Sequence, residues 1–116
     1  LSDQSSKIEK YSKLLIENGT TFDYKTTSLN PYCFVFEDYT SKLHLDRATI
    51  KIGESCLNLT KGTLELSQQN FMQCNGESCH LNLGNGSVAE NLCINIHPGG
   101  SIKLLSGTLN YKNEEN

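Results

Sequence analysis

The sequence predicts an all-β domain: a short parallel β-helix, or solenoid, of about three to four rungs behind an N-terminal capping helix. Three observations predict it. From Phe34 onward apolar residues return in pairs separated by one position, the pairs start seven residues apart over long stretches, and longer motifs recur at intervals that include 21, 23 and 24 residues. A chain of 116 residues is one domain in size, and 36% hydrophobic residues is enough for a modest core. A net charge of −3 without any basic block argues against nucleic acid. The longest apolar runs, such as Cys33-Phe34-Val35-Phe36, fall far short of a membrane-spanning helix, so no membrane insertion is expected.

The helix is read from Ile8, Tyr11, Leu15 and Asn18, which follow the rhythm of one helical face with Leu14 beside them. Ser6-Lys7-Ile8-Glu9 has the form of a capping box and Asn18-Gly19 that of a left-handed stop, which places the helix at about 7–18. Residues 20–30 have no sustained period and lead to Asn30-Pro31, so they read as a connector. Residues 1–31 are therefore expected to be helix and connector, and 32–116 the β-repeat part of a single folding unit.

Beyond Pro31 the period becomes two. The pairs are Phe34/Phe36, Leu43/Leu45, Ile50/Ile52, Leu57/Leu59, Leu64/Leu66, Leu81/Leu83, Ile94/Ile96, Ile102/Leu104 and Leu109/Tyr111, each a very short strand with one buried face. Their starts step by seven through Leu43, Ile50, Leu57, Leu64 and Phe71.

One eight-residue template covers Leu43 to Ile50, Leu57 to Leu64, Leu81 to Val88 and Ile102 to Leu109: aliphatic, any, Leu, two loop residues, Gly or Ala, Thr or Ser, aliphatic. The small residue lets the chain turn without a Cβ clash. Gly53-Glu54-Ser55-Cys56 recurs as Gly76-Glu77-Ser78-Cys79, and Cys33, Cys56 and Cys79 are spaced 23 apart. One rung cannot bury its own Leu and Ile residues, but stacking at about 4.8 Å sets like on like and builds a continuous core. The rival fold is an antiparallel β-sandwich or jelly roll. Against it, only Asn75-Gly76 and Asn85-Gly86 carry the tight-hairpin signature.

Over roughly residues 33–111 the ladder resembles the right-handed parallel β-helix repeats of bacterial surface proteins, including autotransporter passengers and related adhesins. The resemblance is one of pattern and brings no site residues with it. It implies a secreted or surface-displayed structural module.

Five cysteines, at 33, 56, 74, 79 and 93, leave at least one unpaired within the chain. Stacked at 23-residue intervals, Cys33, Cys56 and Cys79 are expected on successive rungs as a buried ladder or a disulfide pair. Cys74, Cys79, Cys93, His80 and His97 have the residue types of a zinc site, but Cys93 and His97 on one strand stand about 13 Å apart, too far for one tetrahedral ion. His97-Pro98-Gly99-Gly100 lacks the further ligands a cupin metal needs. His44, Asp46 and Arg47 cluster at one corner and read as solvated surface. No metal, cofactor or catalytic set is assigned.

Sequons at Asn18, Asn58 and Asn85 mark candidate glycosylation sites, although roughly two are expected from this composition by chance. The function these readings favour is a non-catalytic structural or adhesion module binding a protein or glycan, or assembling end to end as a homo-oligomer. The alternative is a carbohydrate-active or carbohydrate-binding β domain, which requires aromatic platforms on one wall. Tyr24, Tyr32, Tyr39 and Tyr111 are too scattered along the sequence to indicate one. The chain begins at Leu1 with neither initiator Met nor leader, which reads as a processed or excised piece.

Overall fold

The computed structural model describes residues 6–24, 34–53, 56–74, 79–84 and 92–112. Among these residues the fold is all-β, without a helix. The strands are β1 (Ser6–Ile8), β2 (Lys13–Glu17), β3 (Thr21–Tyr24), β4 (Phe34–Phe36), β5 (Lys42–Asp46), β6 (Thr49–Ile52), β7 (Cys56–Leu59), β8 (Gly62–Ser67), β9 (Gln69–Cys74), β10 (His80–Leu83), β11 (Leu92–Ile96), β12 (Ser101–Leu104) and β13 (Thr108–Tyr111).

Successive strands lie in different sheets. One sheet has the order β11-β8-β5-β2, a second β12-β9-β6-β3, a third β13-β10-β7, and β1 pairs with β4. Every pairing among the described residues is parallel. The chain thus returns to a sheet every third strand, an arrangement compatible with a β-solenoid and unlike the antiparallel pairing of a sandwich. Three consecutive strands are called a tier below.

The register places like on like. Leu14, Leu43, Leu64 and Ile94 follow one another across the first sheet, and Leu57, Leu81 and Leu109 across the third. The expected inward residues from Leu43 to Leu83 are 0–3% exposed. Those nearer the C-terminus are not sealed: Ile94 and Ile102 are partly buried, while Ile96 and Leu104 are exposed.

The eight-residue template proves to be a corner motif used at all three corners. Leu43 to Ile50 joins the first sheet to the second, Leu57 to Leu64 the third to the first, and Ile102 to Leu109 the second to the third. At one of these corners Gly62 has φ +91°, and a Cβ there would collide with the Phe36 ring and the Ser41 carbonyl.

The expected helix at 7–18 is two strands and a turn. Lys13–Glu17 pairs with Lys42–Asp46, and Tyr11 and Asn18 have φ of 58° and 60°, which no α-helix contains. The residues assigned to a helical face do not share one: Ile8 is buried, whereas Tyr11 is 80% exposed and Leu15 is exposed too. The left-handed stop at Asn18-Gly19 is real but ends a strand. Arg47 and Gln68 take the same conformation where the chain leaves β5 and β8, and the Gly19 amide donates to the Arg47 carbonyl at 2.7 Å. The expected connector begins with β3, paired to β6.

Two register expectations also change. Phe71, the last start in the seven-residue series, lies opposite Thr49, and Met72 fills the core place opposite Ile50. The slip arises at Asn70, which is fully buried at the corner. In the third sheet Cys56 faces His80, one position beyond Cys79, so Cys56 and Cys79 do not stack in register. Cys33 lies outside the described residues.

Candidate functional site

The outer wall of the first sheet carries a polar network. His44, Glu65 and Asn95 share one row across β5, β8 and β11, because they alternate with the inward aliphatic pairs. His44 Nε2 is 2.7 Å from Ser67 Oγ, and His97 Nε2 is 3.2 Å from Glu65 Oε2. The two imidazoles stack above them with centroids 5.4 Å apart and planes at 9°. Lys13 Nζ reaches Glu65 Oε1 at 3.8 Å.

Burial alone would raise the Glu65 carboxyl. The hydrogen bond from His97 and the charges of Lys13, His44 and Lys42 outweigh it and hold Glu65 below the usual carboxylate range. Glu65 Oε2 is held by His97, while Glu65 Oε1 is buried with no hydrogen bond and only the Lys13 ammonium near it. Stacked rings hold their in-plane lone pairs in two separate, nearly parallel planes, so they do not converge on one ion, and among the described residues no three His, Cys, Asp or Glu are grouped to hold a metal. His44 turns toward Ser67 and His97, while Asp46 pairs with Arg47 at 3.5 Å, so the corner cluster read from sequence divides in two. His97 is engaged with Glu65 across the wall, a partner that the sequence pattern did not indicate.

Beside this wall, at the corner entering β2 and β5, the fold brings together two tyrosines. Tyr11 and Tyr39 are 80% and 75% exposed and line one open groove with Ser12, Lys13, Thr40 and Lys42. The Tyr11 amide donates to Thr40 Oγ1 at 2.7 Å, which locks one tier to the next. Thr40 in turn donates its hydroxyl and its amide to Asp38 Oδ1, and these bonds hold the Asp38 carboxyl below its ordinary range. Lys42 makes no ion pair among the described residues. Sequence reasoning missed this site because the presumed helix placed Tyr11 elsewhere; the signal was Leu14/Ile16, an aliphatic pair of the ladder's own kind.

The third wall carries an amide ladder. Asn82 Nδ2 donates to Asn58 Oδ1 at 2.8 Å and Asn110 Nδ2 to Asn82 Oδ1 at 2.7 Å. Of the sequons, Asn58 is therefore engaged in the sheet wall, Asn18 sits in an exposed turn, and Asn85 lies outside the described residues. Cys74 and Cys79 form a disulfide, Cα to Cα 5.9 Å, that ties β9 to the start of β10. Cys93 is free and exposed. A disulfide fits an oxidising environment. Among the described residues no helix is long and apolar enough to cross a membrane.

No family model, no curated protein and no solved structure matches this chain.

Proposed function

We propose that the chain is a short β-solenoid of the kind found in surface adhesins, and that it works without turnover as a secreted or surface-displayed module holding a glycan on its outer corner. The observation that carries this reading is the groove between Tyr11 and Tyr39. Two exposed aromatic faces one tier apart supply the apolar platforms on which pyranose rings pack. The hydroxyls of Ser12 and Thr40 and the ammonium groups of Lys13 and Lys42 supply polar partners at the rim.

The outer walls support the same reading. Their His, Glu, Ser and Asn side chains bond one another along the stack, which stiffens them as a display surface. The Cys74–Cys79 disulfide fits life outside the reducing cytosol.

The test is a panel of neutral and acidic oligosaccharides, scored for both retention and cleavage. Retention without cleavage, weakened about tenfold or more in a Tyr11→Ala/Tyr39→Ala double variant, is the expected result. Because both side chains are exposed, that variant keeps its fold. Cleavage of any sugar replaces this reading with the carbohydrate-active one. Retention of none removes the glycan.

A further inference from the structure

Among the described residues the apolar interior sealed along the stack is open at one end. Strands β11, β12 and β13 are the last of their sheets among the described residues, each with one unpaired edge. Ile96, Leu104, Leu105 and Tyr111 there are 57%, 39%, 55% and 50% exposed. Beside them is a recess of about 190 Å³ among Leu66, Leu83, Ile94, Ile102, Leu109 and Tyr111. The opposite end is different: Ile8 and Ile16 are only 5% and 7% exposed, and Lys7, Glu9, Lys10 and Lys13 stand exposed around them.

We propose that the C-terminal end face is a homodimer interface, on which a second copy seats the same face about a two-fold axis. The proposal rests on the three-sheet stack and is independent of glycan binding. Three arguments select this occupant. The first is area. At their observed exposures the four large side chains, with Ile94, Ile102 and Leu109, present on the order of 500 Å² of apolar surface, in the upper part of the range for the largest patch on a monomer. Two such faces bury about 1,000 Å², the threshold for a specific interface.

The second is chemistry. The face is apolar with unpaired backbone at its rim, so its complement must be apolar and must offer a strand edge. The same face on another copy has both; the N-terminal end also offers strand edges, those of β2 and β3, but its Ile8 and Ile16 are buried and charged side chains stand around them. The third is geometry. A two-fold axis across the stack reverses the partner's strands, so edges meet antiparallel, a pairing slightly more stable per residue than the parallel one inside the stack. It also closes the assembly at two copies, where head-to-tail stacking would run on.

The experiment is sedimentation velocity of the 116-residue chain from low micromolar to near-millimolar concentration. The wild type is expected to pass from monomer to dimer and no further. Ile96→Asp and Leu104→Asp should weaken the dimer about tenfold or more, and Tyr111→Ala, which adds no charge, should act in the same direction. Leu15→Asp, at the other end, should leave it unchanged. Thermal melts show that each variant is folded. A strict monomer at every concentration, growth beyond two copies, or a dimer untouched by all three end-face variants would overturn the proposal.

Discussion

Asn70 shows what a single residue contributes to this stack. It is fully buried, accepts from the Ala48 amide at 2.8 Å, and donates to the carbonyls of Ser67 and Ser101 at 3.1 Å each. One side chain thus serves the backbone of three tiers at a corner where no strand pairing satisfies it. Asn70→Ala leaves those groups without partners, at about 1–3 kcal/mol for each that water cannot reach. A loss on the order of 3 kcal/mol in urea denaturation is expected. A loss below about 0.5 kcal/mol, the range of neutral surface changes, would refute the staple. Nothing in the sequence separates Asn70 from the other eleven Asn residues, because its role depends on chain ends brought together from distant positions. Glu65 makes a second residue-scale prediction. Its carboxyl titrates lower in the folded chain than unfolded, so its contribution is full above about pH 4.5 and is lost as pH falls through the folded value. On acidification from about pH 6 to about pH 3 the wild type should therefore lose more stability than Glu65→Gln. Equal losses in the two proteins would mean that the pairing with His97 and Lys13 is energetically idle.

At the scale of elements, the strands with inward pairs were legible from period two alone. The pairs from Leu43 to Leu83 became buried strands as expected, because alternation in so short a segment leaves one face to bury and only stacking can bury it. Leu59→Ala and Leu83→Ala should each cost about 2–5 kcal/mol, whereas Leu104→Ala, on the open end, should cost well below that range in the monomer. Similar losses at all three positions would show that the end is sealed. The first tier was misread for a definite reason. In Lys13–Glu17 the apolar run Leu14-Leu15-Ile16 satisfies a helical and an extended period equally, and Ser6, Glu9 and Asn18-Gly19 then tipped the balance toward helix. What decided against helix was the edge of β5, which Lys13–Glu17 completes; local propensity carries no information about a partner so far along the chain. That error also hid the Tyr11 and Tyr39 groove, since two residues on adjacent tiers become neighbours only once both segments are known to be strands.

For the whole molecule, the seven-residue step and the longer repeat together encode a three-cornered path, and its consequence is long-range pairing that is parallel throughout the described residues. Exact register was less legible. A corner can gain a residue, as at Asn70, without breaking the stack, so the 23-residue cysteine interval is not the spacing of the third sheet, where Cys56 meets His80. The most direct test of the architecture is a set of nuclear Overhauser contacts in the isotopically labelled chain. Contacts are predicted between Leu43 and Leu64, Leu57 and Leu81, and Ile50 and Met72, all in parallel register. Antiparallel contacts between strands adjacent in sequence, such as Lys42–Asp46 against Thr49–Ile52, would contradict it.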